Sequence, residues 1–211
     1  MLDEILDRLR LVDVSSLADA DKALRVMSGP TRVGPGPNLL GTAFTVRCTT
    51  DLFAVLDALE QARPGDVLVV DAQGSPSAVC GELIATEAER KGLAGIVLDG
   101  LCRDVAGLRR LSLPFYATGS RPNAGGAGVL GELQVPVRCG GVEVHPGDLV
   151  FGDDDGVLVG SAEEVLRALP DAEAIQRREQ ALLEHMRADG SLFDFLDLSA
   201  VRDGSGPVVW G

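Results

Sequence analysis

The stretch from Gly81 to Asp104, GELIATEAERKGLAGIVLDGLCRD, holds three kinds of group that could act together on a small organic acid. Its first residues read as the start of a helix directly after a loop. That leaves the backbone N–H groups of Glu82, Leu83 and Ile84 without intrahelical acceptors, at the positive end of the helix dipole, where a carboxylate can dock. Its last residues, Asp99 to Asp104, follow an apolar run that reads as a buried strand, and open α/β sheets place ligands beyond such strand ends. Arg103 offers a planar fork for a carboxylate or keto oxygen. Asp104 offers a hard oxygen suited to Mg²⁺ or Mn²⁺. A plainer reading stands beside this one: an adjacent Arg-Asp at a helix start is often an N-cap with a surface ion pair.

Other chemistries fall away by count. His145 and His185 are the only histidines, and neither neighbours a Ser or Cys in a nucleophilic setting. Both read as surface residues, and a zinc site built on two or three histidines of one chain is excluded. Imine chemistry needs a lysine in an apolar pocket. Of the two lysines, Lys22 sits among acids and Lys91 closes a helix beside Arg90. No GxxxxGK[ST] loop is present, and Gly125-Gly126-Ala127-Gly128 precedes no evident helix. Cys48, Cys80, Cys102 and Cys139 form no CxxC pair and read as small buried hydrophobes.

Positioning these groups requires a sheet. Leu2, Ile5, Leu6 and Leu9 recur at helical spacing, Leu24 falls in a second candidate helix, and the Gly-Pro-rich stretch 29–37 ends this N-terminal cap. Residues 41–48 alternate as a strand, 51–62 carry one apolar helical face, and Val67 to Val70 is an apolar strand. Glu82 to Lys91 is a helix closed by Gly92, Ala94 to Leu98 a strand, Asp104 to Leu111 a short helix, and Leu113 to Ala117 a strand. This alternation predicts parallel strands with helices packed on them. Short strands follow at 133–138, 142–144, 149–151 and 157–159. Ser161 and Glu164 form a capping box opening a helix, Pro170 interrupts it, and Asp171 to Ala188 is a charged helix. The segment Pro64-Gly65-Asp66 to Asp71, with Gly74, recurs as Pro146-Gly147-Asp148 to Asp153, with Gly156. Two symmetric halves of a sheet, or good turn chemistry used twice, account for it equally well.

The 211 residues fit one domain with a C-terminal helical extension from about 161. A 45% hydrophobic content supports a sizeable core, and with only 4% aromatics that core rests on Val, Leu, Ile and Ala. A formal charge of −13 repels phosphate backbones, so no nucleic-acid partner is expected. No apolar run is long enough to span a bilayer and no signal sequence opens the chain, so a cytoplasmic protein without a membrane partner is expected.

Together with Gly41 to Arg47, Pro64 to Asp71, Gly140-Gly141-Val142 and Pro146 to Gly156, the segment closely resembles the RraA-like family, over roughly residues 11–160. That family includes divalent-metal-dependent aldolases of 4-hydroxy-4-methyl-2-oxoglutarate and 4-carboxy-4-hydroxy-2-oxoadipate, and the regulator of ribonuclease activity A. Its pattern is a small carboxylate, twenty residues, Arg-Asp, two residues, and a further acid. Here Glu82 is followed by twenty residues, Arg103-Asp104, Val105-Ala106 and then Gly107. Glu thus replaces the usual Asp, and glycine replaces the last acid.

The resemblance implies a β/β/α layered fold of the swivelling-domain type and a ring-shaped homotrimer or homohexamer with sites between subunits. It implies that Gly81, Glu82, Leu83 and Ile84 hold a 2-oxo acid substrate together with Arg103. Asp104 would hold a divalent cation, Mg²⁺ or Mn²⁺. The implied activity is retro-aldol cleavage of a 4-hydroxy-2-oxo diacid to pyruvate, decarboxylation of oxaloacetate, or both. In each, a cation would stabilise the developing pyruvate enolate, and Glu82 would steer removal of the 4-hydroxyl proton. A neighbouring chain could add an acid from the turn Asp153 to Asp155 or from the helix Asp171 to Ala188. Pocket walls are expected near Tyr116, Arg121 and the loop 119–128, and Phe193, Phe195 and Trp210 would pack on a partner subunit. The alternative activity is that of a non-catalytic regulator binding another protein, for which the acidic surface is suited.

Overall fold

The computed structural model describes residues 2–206 and 209–210. The chain forms two compact units, Met1–Ala172 and Glu173–Gly211. The first opens with helices α1 (Leu2–Leu9) and α2 (Val14–Ala20) and the short strands β1 (Arg25–Val26) and β2 (Thr31–Arg32). Then come β3 (Leu39–Arg47), α3 (Phe53–Gln61), β4 (Asp66–Asp71), β5 (Ala78–Cys80), α4 (Glu82–Arg90), β6 (Gly95–Cys102), α5 (Val105–Leu108) and β7 (Phe115–Ser120). Strands β8 (Glu132–Leu133), β9 (Val137–Cys139), β10 (Val142–Val144), β11 (Leu149–Gly152) and β12 (Val157–Gly160) lead into helix α6 (Ala162–Arg187).

The main sheet has the order β1-β12-β11-β3-β4-β6-β7-β2, with β5 beside β6 and β8 beside β3. Strands β3, β4, β6 and β7 are parallel neighbours, as the strand-helix alternation predicts. Because both faces are covered, Val67–Val70 of β4 and Ile96–Leu98 of β6 are apolar at every position rather than at every second one. Alternation decides which layer each residue meets. Phe44, Val46, Leu68, Val70, Ile96 and Leu98 pack under α3 and α4, with Val55, Leu59, Ile84 and Ala85. Ala43, Val67, Val69 and Val97 face the opposite way and pack with Val137, Cys139 and Val144 of the β9–β10 hairpin. The result is the β/β/α layering. Each fully buried Val, Leu or Ile here contributes about 1.5–3 kcal/mol. A third cluster joins α1, α2 and the start of α6 over Leu149, Phe151 and Leu158.

Local expectations mostly survive, with reasons where they do not. Leu24 is buried but lies in a turn before β1, since α2 ends at Ala20. The Ser161–Glu164 capping box forms, each side chain accepting from the other residue's N–H. Pro170 does not interrupt α6. Proline removes one helical hydrogen bond, yet the buried Val165, Ala168, Leu169 and Ala172 anchor the helix on both sides of it.

The repeated PGD segments turn out to be one local device used twice. Gly65 and Gly147 have φ of +87° and +84°, which glycine adopts without strain. In each turn the Asp carboxylate accepts the N–H three residues back, Arg63 to Asp66 and His145 to Asp148, both at 2.8 Å. At the far end of each strand Asp71 and Asp153 accept the N–H two residues on. One copy enters a parallel pair and the other an antiparallel one, on either side of β3, so turn chemistry rather than internal symmetry explains the echo.

The second unit carries the end of α6, a 3₁₀ turn at Leu192–Asp194 capped by Ser191, strands β13 (Leu196–Asp197) and β14 (Val209–Trp210), and helix α7 (Ser199–Arg202). His185 pairs with Asp194 at 2.8 Å and meets the ring of Phe195 edge-on. Phe193 is exposed, while the side chain of Trp210 lies outside the described residues. No described helix is long and apolar enough to cross a membrane.

Candidate active site

Strand β6 runs past Leu98 to Cys102 because its register shifts between Leu98 and Leu101. The extra length pairs with β5, a strand too short to read from sequence, so that Cys80 and Cys102 lie side by side. These two strand ends deliver Gly81-Glu82 and Arg103-Asp104 to the same place, tied by the N–H of Arg103 donating to the carbonyl of Cys80 at 3.0 Å. All four cysteines are buried, in keeping with their reading as small hydrophobes.

Gly81 is the N-cap of α4 and supplies no side-chain cap, so the first N–H groups of α4 remain available as donors. Asp104 is the N-cap of α5 and takes the left-handed conformation, φ 58° and ψ 39°, which Asp tolerates better than most residues. Its Oδ2 lies 3.3 Å from Nε of Arg103, and both side chains are about two-fifths exposed (41% and 40%). The ion-pair reading of Arg103-Asp104 is therefore realised, but the pair stands at the wall of a cleft rather than on open surface. The cleft, about 160 Å³, is lined by Gly81, Leu83, Ile84, Arg103 and Asp104, with Leu52, Leu56, Ala78 and Ala124 as its apolar walls.

Glu82 is not among those lining groups. Its carboxylate lies over Gly107 and accepts from Arg110 Nη2 at 3.0 Å. Arg110 was missed by sequence reasoning, because only the fold brings a residue two places past α5 back to the start of α4. The walls Leu52 and Leu56 were hidden in the same way, on a helix read only for its buried face.

Several expected pocket walls lie elsewhere. Tyr116 is fully buried and hydrogen-bonds the carbonyl of Asp153, because β7 turns this side chain toward the β9–β10 layer. Of the loop 119–128, Ala124 reaches the cleft and Arg121 does not line it. Asp153 is occupied within its own chain, accepting from Val14 and Asp155, and Asp154 pairs with Arg32. Lys91 donates to the carbonyls of Leu59 and Glu60, capping the end of α3. His145 is about half exposed.

Among the described residues no three His, Cys, Asp or Glu side chains gather into a metal cage, which disfavours a zinc-type site. One exposed aspartate beside an open cleft does match Mg²⁺ or Mn²⁺, which bind through one or two carboxylates and fill the remaining positions with water and substrate oxygens. The backbone at Gly81 forms a cradle against this carboxylate: a Cβ there would stand 2.7 Å from Asp104 Oδ2. A second cavity, about 530 Å³, lies at the opposite ends of the parallel strands, around Leu40, Ala94 and Pro114. It holds none of these groups.

Fold and site thus define an α/β protein of β/β/α layering, with an arginine, an aspartate and an open helix N-terminus converging at the carboxyl ends of its parallel strands. The chain belongs to the RraA-like family, whose model, Aldolase/RraA, matches residues 5–159. It is 33% identical over 192 residues, 88% of this chain and 91% of the relative, to a protein of Halalkalibacterium halodurans that carries the provisional name 4-hydroxy-4-methyl-2-oxoglutarate aldolase. Among solved structures it resembles Streptomyces coelicolor RraAS2, described as an unusual member of the RNase ES inhibitor RraA family, with a TM-score of 0.75 and 32% identity, covering 84% of this chain and 94% of that one. An uncharacterised protein of Pseudomonas syringae shares the fold with a TM-score of 0.82 at 24% identity, covering 91% and 96%.

Proposed function

We propose that the protein is a divalent-metal-dependent carbon–carbon lyase acting on a short 2-oxo acid, by retro-aldol cleavage of a 4-hydroxy-2-oxo diacid to pyruvate, by decarboxylation of oxaloacetate, or by both. The observation that carries this reading is the convergence of Arg103, Asp104 and the open N-terminus of α4 on one cleft. The relative named as an aldolase supports it.

In this reading the N–H groups of Glu82, Leu83 and Ile84 take a substrate carboxylate, and the Arg103 guanidinium takes a second carboxylate or the keto oxygen. Asp104 would hold Mg²⁺ or Mn²⁺, which when bound stabilises negative charge developing on a substrate oxygen. As the C3–C4 bond breaks, its electron pair passes to the pyruvate fragment, the 4-hydroxyl proton passes to a water, C4 leaves as a carbonyl, and the enolate takes up a proton from water at C3 to give pyruvate. Leu52, Leu56 and Ala124 limit water at the forming enolate. The −13 charge does not oppose an anionic substrate, since exposed charges are screened beyond about 8 Å at physiological salt.

Self-association into a trimer or hexamer belongs to the same reading. Leu56 and Leu83 expose apolar side chains at the cleft, Leu83 at 81%, and Phe53, Val129 and Leu130 are also exposed, which suits burial against another copy.

The test is pyruvate release from 4-hydroxy-4-methyl-2-oxoglutarate and from oxaloacetate, with Mg²⁺ or Mn²⁺ and with EDTA. Metal-dependent release from at least one is expected, lost in Asp104→Ala. Equal inertness of wild type and variant on both substrates would favour the second reading, a protein-binding regulator, for which the likeness to RraAS2 and the acidic surface speak.

A further inference from the structure

Helix α3 carries more apolar surface than its packing on the sheet uses. Ala54, Val55, Ala58 and Leu59 bury one face of it. Leu52 and Leu56, one turn apart and joined by the N–H of Leu56 donating to the carbonyl of Leu52 at 3.1 Å, form a second apolar stripe that lines the cleft. Ala124 completes this wall and is fixed there, because the N–H of Gly125 donates to the carbonyl of Ala78 and the N–H of Ala78 to the carbonyl of Asn123, both at 2.9 Å. Among the described residues, the charged side chains that line the cleft are Arg103 and Asp104. Arg110 stands outside it, held by Glu82 at 3.0 Å. The cleft therefore offers two anchors for carboxylates, the N–H groups opening α4 and the Arg103 fork, while the wall built by α3 and Ala124 is hydrocarbon.

We propose that Leu52 and Leu56 are specificity-determining residues, which face the substituent at C4 of the substrate and restrict it to a small alkyl group. A methyl group there is buried against leucine, which is favourable. A carboxymethyl group brings a third negative charge with no partner on that wall, and burying an unpaired carboxylate is costly. The site thus selects 4-hydroxy-4-methyl-2-oxoglutarate over 4-carboxy-4-hydroxy-2-oxoadipate, which differ at C4 by methyl against carboxymethyl. Burial of Leu56 and Leu83 against another copy would close the route by which water could reach such a charge. This rests on the lyase reading above and names the substrate that the same site prefers.

The experiment compares kcat/KM for pyruvate release from the two substrates, and from oxaloacetate, in wild type, Leu56→Arg and Leu56→Met. Wild type should favour the methyl substrate by at least about 100-fold, since a buried polar group left unpaired is discriminated against strongly. Leu56→Arg gives the third carboxylate a partner and should raise kcat/KM for the carboxymethyl substrate at least about tenfold while lowering it for the methyl one. Leu56→Met keeps the wall apolar at similar volume and should leave the ratio unchanged. Leu52→Arg, one turn earlier, repeats the test if Leu56→Arg fails to fold or assemble. Wild type that releases pyruvate from none of the three substrates would overturn the lyase reading itself. Release from oxaloacetate alone, similar kcat/KM for the two C4-substituted acids, or a ratio that the arginine variants do not move or that Leu56→Met moves equally, would overturn this proposal and leave that reading in place.

Discussion

Gly81 and Asp104 share one space: a methyl group on the first would stand 2.7 Å from Oδ2 of the second, and 2.9 Å from Cγ of Arg103. The N-cap of α4 and the N-cap of α5 are thereby locked together, although twenty-two residues separate them in sequence. Gly81→Ala should push the Arg103-Asp104 pair out of register with the α4 donors. A misplacement of about 1 Å at a reacting centre costs on the order of 100-fold, so kcat/KM for pyruvate release should fall by that order while circular dichroism stays native. Near-normal turnover in this variant would remove the cradle from the site.

Asp104 carries two separable duties, a left-handed backbone and a carboxylate. Asparagine tolerates the same backbone, so Asp104→Asn should melt near wild type yet lose metal-dependent activity. Alanine does not tolerate it, and Asp104→Ala should lose about 1 kcal/mol of stability in addition. Denaturant melts of the two variants side by side measure the difference. Equal stability would mean that the φ of 58° places no demand on the residue.

Arg103 is expected to act as a fork and not merely as a charge. Arg103→Lys should raise KM severalfold or more, since a compact ammonium cannot reproduce bidentate binding. Steady-state kinetics on the active substrate checks this, and an unchanged KM would count against the assigned role.

Asp51 pins the loop that brings Ala124 to the cleft. Burial alone would raise its pKa, but the N–H groups of Phe53, Gly128 and Val129 donate to it at 2.9, 2.7 and 2.8 Å and together outweigh burial, holding the carboxyl below its usual range. A depressed native pKa means the stabilisation is complete above the unfolded value, about 3.9, and is lost as pH falls through the native one. Asp51→Asn should therefore lower Tm at pH 7 and differ less from wild type near pH 3. A gap that does not narrow on acidification would show that the charge is not what holds the loop.

The thiols should be inert in the folded protein. Burial raises all four, Cys48 to about 12, with Asp71 and Asp51 adding to the effect there, and Cys80, Cys102 and Cys139 also upward. The reactive thiolate is then scarce at neutral pH. Iodoacetamide at pH 8 should label none of them in native protein and all four in guanidinium, read by mass spectrometry.

The sequence alone determined the parts whose physics is local. Val67 to Val70 and Ala94 to Leu98 are apolar at every position, which requires strands covered on both faces. Ser161 and Glu164 three residues apart make a capping box, and Pro-Gly-Asp makes the same turn wherever it occurs. Gly81 to Ile84 and Arg103-Asp104 were legible as chemistry for the same reason, being a helix start and a strand end. What only the tertiary structure decided depends on where separate elements meet. The shift in β6 that lays Cys102 beside Cys80 turns two motifs into one cleft. The packing of α4 against α5 turns the Glu82 side chain away from the cleft and over Gly107, into the reach of Arg110. Periodicity assigns a residue to a face, but a contact between two loops or two helix ends follows from the register of the strands that carry them, and no single strand encodes that register.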